Sequence, residues 1–160
     1  MATFLGTYEN RIDSKGRISV PSLFRAQLPE PHAMTVVLFP SYRAQAIEGA
    51  GMAFIDQLGD RVNEIDLFSD DQDDIATSLF ADCQPLSMDK EGRIVLPSDL
   101  MAHAGITDKA CFVGKGPIFQ IWEPTALLSH KTEARQRART KKLTLPIKPG
   151  ASGPGRGGER

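Results

Sequence analysis

Arginine is well suited to gripping a phosphate or the O6/N7 edge of guanine, because its planar fork donates two parallel hydrogen bonds. Two arginines of this chain sit in near-identical surroundings. D-S-K-G-R-I-S-V-P-S runs from Asp13 to Ser22, and D-K-E-G-R-I-V-L-P-S runs from Asp89 to Ser98. The two align without a gap at an offset of 76 residues, with six of ten positions identical, and Phe4 and Phe80 fall at the same offset. Asp13 and Asp89 can each accept a backbone N–H two residues on, which opens a tight turn. Gly16 and Gly92 can close it, because a positive φ is cheap for glycine. Arg17 and Arg93, beside such turns, are pre-aimed and lose less side-chain entropy per contact. Lys15 and Lys90, with Arg11 just ahead of the first turn, suit point-charge contacts to phosphate. A second role competes with this one: each arginine pairs with the aspartate of its own turn and stiffens it. The two are compatible if the aspartate orients the arginine.

The surrounding residues say what must hold these turns. Ile18 and Val20 alternate with Ser19, the period of a half-buried strand. Pro21 stops that strand, and Ser22 is placed to cap a short helix over Ser22–Leu28. The second copy repeats the pattern with Ile94, Leu96, Pro97 and Ser98, and its short helix ends at Gly105. Each half therefore reads strand, hairpin turn, strand, short helix, then more strand. The later strands are Thr35–Phe39 and Gln45–Glu48 in the first half, and Ala110–Val113 and Phe119–Trp122 in the second. Ala53–Leu58 and Asp74–Ala81 read as helical connectors, and Pro124–Lys142 as a helix with proline at its first position. Two copies at this spacing indicate duplicated half-domains rather than a solenoid. The expected divisions are residues 1–58 for the first half, 59–79 for an acidic connector, 80–128 for the second half, 129–145 for a basic helical arm, and 146–160 for a tail. Gly and Pro dominate that tail, which predicts disorder.

Composition narrows the function classes. The 160 residues carry a net charge of −1 and 41% apolar side chains, enough for a core. The longest apolar stretch, Ala33–Pro40, is far short of the ~20 residues that cross a bilayer. The N-terminus does not resemble a secretory signal, so a cytoplasmic protein with no membrane partner is expected. The near-zero charge conceals a segregation: residues 1–128 sum to −8 and residues 129–160 to +7. Acids concentrate between Asp56 and Asp74, most simply as a solvated face. Lys131, Arg135, Arg137, Arg139, Lys141 and Lys142 make the arm basic, either to touch nucleic acid or to neutralise the acidic body. Cys83 and Cys111 lack metal or redox spacing and read as plain buried thiols. His32, His103 and His130 have no ligand spacing, Gly114–Gly116 is a turn rather than a phosphate loop, and Trp122 reads as a core aromatic. No cofactor, metal or catalytic group is expected.

At the twin D-x-x-G-R-I-x-[VL]-P motifs the chain resembles the MraZ family, with two AbrB/SpoVT-like half-domains. The resemblance covers roughly residues 1–142, including F-L-G-T-Y at the start and L-F-A-D-C-Q-P-L-S-M before the second motif. It implies a mainly β fold with short helices (α+β): a duplicated swapped-hairpin, AbrB-like β-barrel, a pseudo-dimer within one chain. It also implies a nucleoid-associated transcriptional regulator, a repressor, that forms ring-like homo-oligomers. Such rings bind double-stranded DNA at promoter direct repeats of the division and cell-wall gene cluster. The family's motif positions fall on Asp13, Lys15, Gly16 and Arg17, and on Asp89, Gly92 and Arg93. Glu91 replaces the lysine of the first turn, and the connector is acidic where the family often carries arginine. An antitoxin-like or sporulation-type AbrB regulator has one motif per chain, and a non-catalytic assembly module would need no DNA. The internal duplication disfavours the first, and loss of DNA affinity with no change in oligomer size on removing Arg17 would exclude the second.

Overall fold

The computed structural model describes residues 2–146. Residues 147–160, with most of the tail expected to be disordered, lie outside the described residues. Among the described residues, those up to Leu127 form one compact unit and those from 128 to 146 a second. In chain order the elements are β1 (Thr7–Arg11), β2 (Arg17–Ser19), α1 (Ser22–Arg25), β3 (Thr35–Pro40), β4 (Ile47–Ala50), α2 (Met52–Val62) and α3 (Asp70–Phe80). They continue with β5 (Gln84–Ser87), β6 (Arg93–Val95), α4 (Ser98–Ala104), β7 (Lys109–Gly114), β8 (Phe119–Trp122) and α5 (Pro124–Thr140). The molecule is mainly sheet with several short helices.

The duplication shows in the pairing. A six-stranded sheet has the order β1-β7-β8-β4-β3-β5, and β2 and β6 form a separate two-stranded ribbon. Among the described residues every pairing is antiparallel. Exchanging each strand for its repeat equivalent reverses the six-stranded order onto itself. Strands also pair across the copies, β1 with β7, β2 with β6, β3 with β5 and β4 with β8, so neither half completes a sheet alone. Two expectations are corrected here. The turn after β1 is tight, but β1 and β2 diverge beyond it and do not form a hairpin with each other. Nor does the main sheet close: β1 and β5 each have one neighbour, whereas a barrel needs its edge strands paired. The architecture is an open sheet plus a ribbon.

The core explains the alternation. Ile18, Val20, Ile94 and Leu96 are buried, while Ser19 and Val95 face out. They join a cluster centred on Phe4, Phe24, Phe112 and Phe119. Phe24 meets Phe4 edge-on at 5.2 Å and Tyr8 at 5.6 Å between ring centres, the arrangement the ring quadrupoles favour. A second cluster holds Ala46, Cys111, Val113, Trp122 and Leu127. Trp122 is buried as expected, its indole N–H donating to Gln120 Oε1 at 2.9 Å. Cys111 is buried but Cys83 only half-buried, its thiol donating to the Leu79 carbonyl. That corrects the expectation of two buried thiols, because Cys83 follows the exposed turn residues Ala81 and Asp82 behind α3 rather than lying on a core strand.

The helices also adjust the expectations. α1 ends at Arg25, three residues early, and its cap is Pro21, with no side-chain cap from Ser22. Pro97 likewise precedes α4 in place of a Ser98 cap, and Gly105 ends α4 at φ 66°. α2 and α3 are longer than the expected connectors. α5 begins at Pro124. The Glu123 carboxylate accepts from Thr125 N and Ala126 N, at 3.1 and 2.8 Å. These backbone N–H donors, Ala126 first, hold the Glu123 acid below its ordinary range.

Candidate nucleic-acid interface

Each D-x-x-G-R segment is built by one aspartate. Asp13 Oδ1 accepts from Lys15 N and Arg17 N, both at 2.9 Å, and Oδ2 accepts from Arg17 Nε at 2.7 Å. The backbone closes the turn twice, Asp13 N to Arg17 O and Gly16 N to Asp13 O, both at 3.0 Å. Gly16 sits at φ 78°, where a Cβ would be strained. The second turn has the same wiring. Asp89 Oδ1 accepts from Glu91 N and Arg93 N at 2.9 Å, Oδ2 accepts from Arg93 Nε at 2.8 Å, and Gly92 sits at φ 76°. The backbone N–H of the arginine is the chief cause that holds each aspartate acid below its ordinary value of 3.8. The arginine pairing weighed from the sequence is thus present. It engages Nε, on the inner edge of the guanidinium.

The ribbon brings the two turns together. Arg17 lies opposite Val95, Ile18 opposite Ile94, and Ser19 opposite Arg93. Residues two apart share a face, so Arg17, Ser19, Arg93 and Val95 lie on the face away from Ile18 and Ile94. Arg17 and Arg93 are diagonal neighbours there. Each turn also accepts a hydrogen bond from the other copy: Leu96 N donates to Gly16 O and Val20 N to Gly92 O, both at 2.9 Å. The nearness is electrostatic as well as geometric. Asp89 chiefly strengthens the hold of Arg93 on its proton, raising its pKa, with smaller help from Glu91 and from Asp13 of the other turn.

The flanking cations are unevenly distributed. Lys15 and Lys90 are exposed on their turns. Arg11 is exposed at the end of β1, opposite Lys109. Glu91 takes the place of Lys15 in the second turn and approaches Arg93 Nη2 at 3.3 Å. Arg25 was missed by the sequence argument. From α1 its Nε donates to the Val20 carbonyl at 3.1 Å, and its guanidinium lies directly against Gly92. A signal was available, since Arg25 answers to Met101 at the repeat offset, a cation where the other copy is apolar.

A family profile described as "MraZ protein, putative antitoxin-like" matches residues 3–44 and 79–143. A protein of Gluconobacter oxydans is 47% identical over 143 residues, covering 88% of this chain and 87% of its own. The chain belongs to the MraZ family. A relative from Gluconacetobacter diazotrophicus is 44% identical over 91% of this chain and 93% of its own length. One from Rickettsia canadensis is 41% identical over 91% and 97%. All three are named "Transcriptional regulator MraZ". Each of the two MraZ-matching stretches contains one D-x-x-G-R turn. The stretch between them, residues 45–78, covers β4, α2 and most of α3 and lies outside the family profile.

Proposed function

We propose that this chain is a sequence-specific, DNA-binding transcriptional regulator that acts without catalysis. The observation that carries this is the pairing of β2 with β6, which makes Arg17 and Arg93 diagonal neighbours on the face away from Ile18 and Ile94. Each aspartate holds the Nε edge of its arginine; the outer nitrogens of Arg17 then face a base edge or phosphate, whereas Arg93 shares its Nη2 with Glu91. The shared name of the relatives supports regulation of transcription.

Each ribbon is a weak site, since Asp13, Asp89 and Glu91 cancel much of its charge and residues 1–128 are net negative. Strong binding then requires many ribbons linked in one particle. A ring-like homo-oligomer on direct repeats supplies that linkage, in the promoter of the division and cell-wall cluster and on the nucleoid of the cytoplasm. Occupancy there represses initiation. Lys15, Lys90, Arg11 and Arg25 add phosphate contacts at the margins.

The test is a gel-shift titration on promoter DNA located by footprinting. Arg17→Ala abolishes specific binding. Arg93→Ala weakens it less, because Glu91 already offsets that turn. Wild-type affinity in the Arg17→Ala variant would sink the proposal.

A further inference from the structure

The α2–α3 helical pair is the part of the fold that the family profile passes over, and its surface is unlike the rest. Half-buried Gln72, Ala76, Leu79 and Phe80 share the inner side of α3. Its exposed side shows Asp70, Asp71, Asp74 and Ile75. Asp56, Asp60, Glu64, Asp66 and Asp73 add to the acids, against Arg61 alone. The turn before α3 presents Leu67 at 63% and Phe68 at 98% exposure. Phe68 also holds φ 65°, a left-handed conformation that bulky residues avoid. The turn is hydrogen-bonded: Ser69 N and Oγ both donate to Asp66 O, and Ser69 Oγ accepts from Gln72 N. It thus displays a fully exposed aromatic beside a row of carboxylates.

The complementary surface is in the same sequence. On α5, Leu128, Arg135 and Arg139 fall on one helical face, with exposed Leu143 beyond its end. The four-residue step from Arg135 to Arg139 equals that from Asp70 to Asp74, about 6 Å along each helix. Residues 52–80 carry a net charge of −7 and residues 128–142 of +5.

We propose that the α2–α3 hairpin of one subunit is the docking site for the basic α5 arm of a second copy of this chain. Leu67 and Phe68 pack against Leu128 or Leu143, and Asp70 and Asp74 pair with Arg135 and Arg139. This gives the self-association in the proposed function its contact surface and rests on that part alone. It also assigns the basic arm to assembly rather than to DNA.

The experiment measures the mass of the full-length protein by light scattering after size exclusion, with circular dichroism as the fold control. Asp70→Lys/Asp74→Lys and Arg135→Glu/Arg139→Glu are each expected to lose the oligomer while keeping the wild-type spectrum. Mixing the two variants restores it, because the reversed arm of one matches the reversed hairpin of the other. Phe68→Asn relieves the left-handed strain, so it raises the melting temperature while lowering the mass, a combination that simple unfolding would not give. Unchanged mass in both charge-reversed variants would overturn the proposal, and so would an arm that docks on its own chain, since mixing would then restore nothing. Arg135→Glu/Arg139→Glu lowering DNA affinity at unchanged mass would overturn it in favour of a DNA-binding arm. Failure of DNA binding in the wild type would leave the mass readout intact, so the two proposals fail separately.

Discussion

Gly16 and Gly92 hold equivalent places in two nearly identical turns, yet replacing them with alanine should have unequal effects. Both sit at similar positive φ, 78° and 76°, and a Cβ-bearing residue there is disfavoured by about 1–2 kcal/mol. Their surroundings differ. A Cβ on Gly16 meets only Val95 Cγ1, at 3.8 Å, in ordinary contact. A Cβ on Gly92 stands 2.6 Å from Cδ, Nε and Cζ of Arg25. The Arg25 side chain must then move, breaking its 3.1 Å bond to the Val20 carbonyl. A hydrogen bond from a charged donor contributes about 1.5–3 kcal/mol, and partial exposure of Arg25 places this one at the low end. Gly92→Ala should therefore destabilise by about 1–2 kcal/mol more than Gly16→Ala. The assay is urea unfolding followed by circular dichroism, with all variants held at one protein concentration. In an Arg25→Ala background the excess should vanish, giving a coupling energy of about 1 kcal/mol or more in the double-mutant cycle. Equal losses at the two glycines, or additive effects of Gly92→Ala and Arg25→Ala, would refute the reasoning.

Other outcomes are expected. Phe24→Ala, at the centre of the aromatic cluster, should lower unfolding stability by about 3–5 kcal/mol, whereas the exposed Val95→Ala should stay within about 0.5 kcal/mol. Asp13, Asp89 and Glu123 titrate below their ordinary values when folded, so each contributes stability that is present above the unfolded value and lost as pH falls through the folded one. Melting curves of wild type and Asp13→Asn/Asp89→Asn should thus differ by a constant amount from neutral pH down to about 5 and converge in acid. Convergence toward alkaline pH would contradict the assignment. The logarithm of DNA affinity should fall linearly with the logarithm of salt, by about 0.9 per phosphate contacted, and Lys15→Ala should flatten the slope by about one contact. A salt-independent affinity would count against phosphate contacts.

The turns were legible because their chemistry is local. An aspartate reaching N–H groups two and four residues on, and a glycine at positive φ, need nothing from elsewhere in the chain. Pro124 at the head of α5 and Gly105 behind α4 were legible for the same reason. The caps at Ser22 and Ser98 were misplaced because proline, already fixed near the required φ, occupies the boundary one residue earlier. The hairpin between β1 and β2 and the closed barrel were misjudged for a different reason. A tight turn constrains the residues within it but not the partner each strand takes once it leaves.

The sequence by itself determined that two arginines each follow an aspartate and a glycine in a tight turn, and that the chain belongs with a duplicated family; that each aspartate grips its arginine was one of two roles the sequence allowed. Only the tertiary structure decided that the two turns share one face. Ile18 and Ile94 must both be buried, which draws β2 and β6 together across 76 residues of chain and sets Arg17 and Arg93 as diagonal neighbours on the opposite face. Likewise, only the packing of α1 carries Arg25 across to the second turn. Contacts within five residues follow from local geometry, whereas the choice among distant strands follows from which pairing removes the most apolar surface from water.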